Sequence, residues 1–239
     1  MVAIKAASLV MMLRMSDISL LTARPFTVVD AEQRSAEWFA ARLGRLTGSR
    51  AKDMLATIRT GEAAARRDLR TQLVVERLTG QVQDDGYCSP DMVWGIECEP
   101  LAAAAYQGLT GVLMERTGFL THTSLMVGCS LDGHVGDFEG ICEFKCPKSA
   151  THLRYLRAGT IPTDYLPQIR HNLWVSGAAW CDFLSFDPRF PASLQTVLVR
   201  VEAADADLPG YAKLALAFLA EVEEETRQVE ALGAGAPVW

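Results

Sequence analysis

The run Ile141-Cys142-Glu143-Phe144-Lys145-Cys146-Pro147 alternates charged and apolar side chains. A repeat of two is the mark of a strand with two unlike faces. Glu143 and Lys145 share one face, while Cys142, Phe144 and Cys146 share the other. The apolar set can enter a core, which leaves an acid and an amine side by side. Upstream, Asp137-Phe-Glu-Gly140 reads as a turn between antiparallel strands. Folding of that hairpin can bring Asp132, within Ser130-Leu-Asp-Gly133, next to Glu143.

Two carboxylates aimed at one point repel, and each then favours its protonated form unless a cation compensates. Hard divalent cations with oxygen ligands supply that compensation, and Mg²⁺ typically keeps several of its waters. Such a cation lowers the pKa of a water and stabilises charge developing on a phosphoryl group. A lysine beside it can orient or deprotonate the attacking water. Asp132, Glu143 and Lys145 thus make a minimal kit for phosphodiester hydrolysis. The bare spacing fits equally a surface hairpin with an exposed ion pair worth ~0–1 kcal/mol.

The rest of the chain reads as one domain. Ser35 to Leu43 is a short helix, with Ser35 as its cap and Gly44 at the left-handed position after it. A second helix is expected from Thr47 or Ser49 through Leu55, and a third from Glu62 to Thr79, ended by Gly80. Gln81 to Ser89 is polar and reads as a loop. Glu99 to Tyr106 reads as a helix with Pro100 in its first turn. Gly111 to Cys146 is strand-rich, Asp164 to Val175 is helical, and Asp182–Phe186 and Thr196–Val201 are strands. Leu208 to Leu232 is a long helix with an acidic second half, suited to covering the sheet or meeting another subunit. This order gives an α/β (α+β) fold, a central mixed β-sheet flanked by helices. Residues 1–24 are expected to be poorly structured, and 25–239 to form the single domain.

The 239 residues carry a net charge of -6, which by itself favours an ordinary soluble enzyme over a nucleic-acid binder. A local basic patch can oppose the net charge. The six cysteines form no C-x-x-C pair and no zinc-site spacing. They read as reduced, mostly buried thiols of a cytoplasmic protein. The segment MVAIKAASLVMMLRM is a poor signal peptide, and no stretch has the length of a membrane span.

Five motifs in order give the chain a resemblance. Glu37-Trp-Phe-Ala-Ala-Arg42-Leu-Gly-Arg-Leu-Thr-Gly-Ser49 comes first, then Trp94-Gly-Ile-Glu-Cys-Glu99-Pro. Gly128-Cys-Ser-Leu-Asp-Gly133 with Glu143-Phe-Lys-Cys-Pro147 is the third. Tyr165-Leu-Pro-Gln168-Ile-Arg-His-Asn-Leu-Trp174-Val and Asp182-Phe-Leu-Ser-Phe-Asp187-Pro follow. Together, over roughly residues 32 to 190, they resemble the lambda-exonuclease (YqaJ-type viral recombinase) family. That family belongs to the PD-(D/E)xK nucleases, with a restriction-endonuclease-like core.

The resemblance implies a Mg²⁺-dependent exonuclease, with Mn²⁺ able to substitute, that digests one strand of double-stranded DNA from 5′ to 3′. Asp132, Glu143 and the Phe144 backbone carbonyl would hold the metal, and Lys145 would act on the attacking water. Glu99 would complete the acidic cluster, and Gln168 would position metal-bound water or the scissile phosphate. Arg42, Ser49 and Ser130 match positions that bind the terminal 5′-phosphate. Independently of the resemblance, Ser49 at a helix start would offer unpaired N–H groups to an anion, and Arg42 a bidentate fork. The resemblance also implies a ring-shaped homotrimer around DNA and a single-strand annealing protein as partner. A ring would reconcile the net charge of -6 with a nucleic-acid substrate, since basic residues need only line the channel.

The residues themselves leave plainer readings open. Ser49 can be an ordinary cap, Arg42 a solvated arginine and Gln168 an exposed helix residue. Glu97 reads as a solvated charge, His152 and His171 as structural, and Trp38, Trp94 and Trp174 as core. Two positions depart from the family pattern. Leu131 stands where proline is usual, and Arg170 replaces a second glutamine. An endonuclease or repair-complex nuclease subunit of the same fold, and an inert DNA-binding module, are the competing functions.

Overall fold

The computed structural model describes residues 25–83 and 89–234. The expected N-terminal segment 1–24, residues 84–88 of the expected loop, and Cys88 among them, lie outside that range.

Ser35 and Gly44 bracket the first helix as their chemistry requires. Ser35 Oγ accepts the Trp38 N–H at 3.2 Å, α1 runs over Ala36–Arg42, and Gly44 takes a φ of 65°. Strand β1 (Phe26–Val29) precedes it. The expected second helix is present over residues 48–54, as a 3-10 turn that runs into one α-turn, with a short strand before it. Leu46–Thr47 is that strand, β2, followed by the 3-10 turn over Gly48–Arg50 and the α-turn, α2 (Ala51–Met54). Thr47, one of the two expected helix starts, is buried, and its pairing with the sheet outweighs the local preference for a helix start there. A Cβ at Gly48 would lie 2.3 Å from the side-chain oxygen of Asn172, so glycine lets this turn approach the later helix without displacing that amide.

Helix α3 (Ala64–Thr79) ends at Gly80 as expected. The next helix corrects the expectation of Glu99–Tyr106: α4 spans Pro90–Thr110. Ser89 caps it and Pro90 occupies its first turn, the position Pro100 was expected to hold. Pro100 is interior and leaves the Ile96 carbonyl without its helical donor. Burial of Cys98, Ala102, Ala103 and Tyr106 carries the helix through that break.

Strands β3 (Phe119–His122), β4 (Val127–Ser130), β5 (Gly133–Val135) and β6 (Gly140–Lys145) fill the strand-rich centre. Helices α5 (Ser149–Ala158) and α6 (Leu166–Ser176) follow. Strands β7 (Trp180–Phe186) and β8 (Thr196–Glu202) and helix α7 (Leu208–Ala234) complete the fold. The mixed α/β class is as expected, with the strands divided between two four-stranded mixed sheets, β1-β3-β4-β2 and β5-β6-β7-β8. Chain passes from one to the other at Leu131-Asp132.

A single apolar core joins the sheets. It takes Leu120, Val127 and Cys129 from the first, Ile141, Cys181 and Phe183 from the second, and Ile169 and Leu173 from α6. The other face of β6 puts Cys142 and Phe144 against Ala102 and Tyr106 of α4, the separation of faces that the alternation requires. Tyr106 donates to the buried Asp182 at 2.8 Å, and Arg200 clamps the same carboxylate at 2.7 and 2.8 Å. Asp182 therefore fastens β7 to α4. Helix α7 lies on α3. Phe218 and Val222 enter the core, and Arg66 and Arg70 bridge to Glu221 and Glu225.

Candidate active site

Strand β5 pairs with β6 only as far as Gly133 opposite Cys142. Beyond that point one edge of β6 is open, and Asp132 fills it: its Oδ2 accepts the Phe144 N–H at 2.5 Å. In a strand a residue's N–H and C=O project to the same side. The Phe144 carbonyl therefore faces the same open edge. Glu143 points to the α6 side of β6 and is 1% exposed. Its Oε1 accepts from Lys145 Nζ and, at 2.7 Å, from Gln168 Nε2. Its Oε2 accepts from Asn172 Nδ2 at 3.1 Å. Glu99 arrives from α4 and pairs with Arg116 at 3.2 Å, while Glu97 is exposed.

These groups open into one cavity of about 930 Å³. Its lining includes Arg42, Ser49, Glu99, Ser130, Asp132, Glu143, Phe144, Lys145 and Gln168, so all nine residues singled out from sequence face one space. Arg42, Ser49 and Ser130 form one wall. Arg42 lies over the Trp38 ring at 4.1 Å, and the Trp38 indole N–H donates to Ser130 Oγ at 3.0 Å. Thr47 Oγ1 lies 3.5 Å from the Arg42 guanidinium and 3.4 Å from Ser49 Oγ. Ser49 sits inside the 3-10 turn that runs directly into α2, at the helix start as expected, and its side chain makes no capping bond.

The charges are strongly coupled. Burial pushes Asp132 up from the usual carboxylate range, against Lys145, the Phe144 N–H and Arg116. Burial also raises Glu143, aided by Asp132 and Glu99 and opposed by Lys145. Glu99 is raised by burial and then by Asp132, with Arg116 pulling it back. Burial works against the Lys145 ammonium, but Glu143 and Asp132 outweigh it and hold the amine above its ordinary range. Lys145 thus carries its proton in this arrangement.

Among the described residues, no three His, Cys, Asp or Glu side chains close around a point as a ready cage for an ion. The donor set fits a cation of another kind. Two carboxylates lining one cavity with a strand carbonyl, each carboxylate destabilised as an anion, suit a hard cation that keeps several waters.

Several contributors were not singled out from the sequence. Asn172 lies on the buried face of α6 and looks like any amide in a helix. Arg116 lies between the motifs, and Tyr165 presents its ring 5.2 Å from Lys145 Nζ. Trp94 corrects an expectation: it lines the cavity and stacks with Arg189 at 4.3 Å instead of entering the core. Trp38 is buried yet lines the cavity, and Trp174 packs against the core. His152 bridges Ser185 and the Leu194 carbonyl, and His171 bridges Tyr211 and the Gly128 carbonyl, both structural as expected. Leu131 is buried where the family pattern has proline. Among the described residues five cysteines are free, and all but Cys146 are buried.

The family model for the YqaJ-like viral recombinase domain matches residues 37–179, more than half of the chain. The chain belongs to that family. Among solved structures, this YqaJ-like chain resembles the alkaline exonuclease LHK-Exo from Laribacter hongkongensis. They are 35% identical over 84% of this chain and 98% of that one, with a TM-score of 0.74. LHK-Exo in complex with dAMP gives 35% identity, the same coverage and a TM-score of 0.75. A phage related exonuclease from Haemophilus somnus 129PT is 12% identical over 79% of this chain and 96% of that one, with a TM-score of 0.57, and shares the fold. No curated protein matches the chain. Among the described residues no helix is long and apolar enough to cross a membrane.

Proposed function

We propose that this YqaJ-like chain is a metal-dependent exonuclease that digests one strand of linear double-stranded DNA from 5′ to 3′. It would leave 3′ single-stranded tails for phage-type recombination. The observation that carries this reading is that Asp132 at the open edge of β6 and Glu143 and Lys145 on its α6 face line one cavity, together with Arg42, Ser49 and Ser130. The likeness to an alkaline exonuclease at 35% identity supports the same class.

Asp132, Glu143 and the Phe144 carbonyl would hold Mg²⁺, with Mn²⁺ able to replace it. When bound, the ion supplies Lewis acidity toward a phosphoryl oxygen and lowers the pKa of a water. The chain's own groups do the rest. Lys145, bonded to Glu143 and lining the same cavity, would orient or deprotonate the attacking water. Gln168 and Asn172 fix the Glu143 carboxylate, and Glu99 completes the acidic cluster. Arg42, Ser49 and Ser130 offer donors to a terminal 5′-phosphate, which sets the length of strand between end and cut. The same reading includes a ring of three copies around the duplex and transfer of the tail to a single-strand annealing protein.

The test is digestion of linear duplex DNA labelled at its 5′ or 3′ ends, with Mg²⁺ or EDTA, comparing the wild type with Lys145→Ala. The expected result is Mg²⁺-dependent release of 5′ label with 3′ ends spared, and activity reduced at least a hundredfold in the variant. Equal activity in the two proteins, or none in either, would overturn the assignment.

A further inference from the structure

A smaller pocket of about 290 Å³ adjoins the cavity and shares Gly48, Ser49, Tyr165 and Gln168 with it. Its own lining is Lys52, Tyr155 and Asp164. Tyr165 lines both spaces. Its ring carries the Lys145 ammonium at 5.2 Å and meets the Tyr155 ring edge-on, with centroids 6.5 Å apart. The pocket therefore has one cation, two phenol rings and the Ser49 hydroxyl, a donor set for a phosphate beside an aromatic surface for a base. Lys52 is paired with Asp164 at 2.9 Å, but both side chains are more than half exposed. A solvated pair of that kind is weak, so an incoming phosphate can take the ammonium at little cost.

We propose that this pocket is a second nucleotide subsite, which receives the nucleoside 5′-monophosphate leaving the main cavity. Lys52 exchanges Asp164 for the phosphate, and Tyr155 flanks the base. The identity of the ligand rests on the proposed exonuclease, whereas the existence of the subsite does not. Occupancy of the pocket bears on Tyr165, and through it on the space beside Lys145, so a bound product would slow the next turnover.

The experiment is titration of the full chain with thymidine 5′-monophosphate, in the wild type, Lys52→Glu and Tyr155→Ala, with folding checked by circular dichroism. The expected result is two sites in the wild type, one of them weakened roughly tenfold or more in Lys52→Glu, the scale of one charge-assisted hydrogen bond. The rate of the first cleavage in a single turnover should not change in that variant, and inhibition by added nucleotide should be relieved. A single site that responds to Arg42→Ala but not to Lys52→Glu or Tyr155→Ala, or no binding at all, overturns the subsite. Nuclease activity with only that one site would end this proposal alone. A Lys52-dependent site on a protein without nuclease activity would end the exonuclease reading and leave the subsite standing.

Discussion

Glu143 is the residue on which the site turns, because both of its oxygens are already committed. Lys145 was legible as its partner, since alternation along a strand puts the two on one face. Asn172 was not, since nothing in a helical pattern distinguishes an amide that donates to a buried carboxylate from one that faces water. Hydrogen bonds to charged groups contribute about 1.5–3 kcal/mol. Asn172→Ala should therefore lower the cleavage rate roughly tenfold to a hundredfold and raise the Mg²⁺ concentration needed for half-maximal rate. An unchanged Mg²⁺ dependence would reduce Asn172 to a packing role. His171 gives a second test, on stability. Its Nε2 donates to the Gly128 carbonyl at 3.0 Å, so its Nδ1 accepts from the Tyr211 hydroxyl at 2.8 Å and the ring is neutral. Burial pushes it down to about 4. The unfolded chain, with histidine near 6.5, then binds the extra proton first as pH falls. His171 thus costs stability progressively from about pH 6.5 to about pH 4, reaching roughly 3 kcal/mol. Denaturant melts of the wild type and His171→Gln should show the gap between them narrowing by that order between pH 7 and pH 4.5. A constant gap would mean that the folded ring takes up its proton as readily as the unfolded chain does.

At the scale of elements, the strands around the hairpin and the caps at Ser35, Gly80 and Gly177 followed from local chemistry. The failures were places where tertiary packing overruled it. Thr47, one of the two expected helix starts, is drawn into a two-residue strand, and α4 continues through Pro100 because its buried face holds it. No local pattern encodes either. The α3–α7 pair separates apolar from ionic contributions. Phe218 is fully buried, whereas the side chain of Glu221 is 45% exposed. Phe218→Ala should cost about 3–5 kcal/mol, lowering the melting temperature by roughly 6–20 °C. Glu221→Gln should change stability by less than about 1 kcal/mol, and that only at low salt. Thermal melts at two salt concentrations check both, and comparable losses would mean that the ion pairs hold the helices together.

Across the whole molecule, the two sheets divide the labour proposed for the site. The wall with Ser130 and Ser49 belongs to the first sheet and its connections, Glu143 and Lys145 belong to the second, and Asp132 stands at the crossing. Sequence motifs identified the members of both groups without revealing that division, because a pairing as short as β2 with β4 leaves no trace in composition. The division makes the two groups separable. Arg42→Ala should lose the preference for 5′-phosphorylated ends yet keep Mg²⁺-dependent cleavage of ends bearing a hydroxyl. Rates on the two kinds of end measure this directly, and loss of both activities together would argue against a separate end-binding wall.

The bonds that hold Glu143 have a consequence in the order of synthesis. A ribosome makes Asp132, Glu143 and Lys145 before it reaches Gln168 and Asn172, the amides on α6 that orient the carboxylate. A nascent chain halted between β6 and α6 carries the reactive groups without the parts that align them. The activity proposed here would therefore arrive only with a nearly finished fold, and a truncated translation product would leave the DNA around it intact.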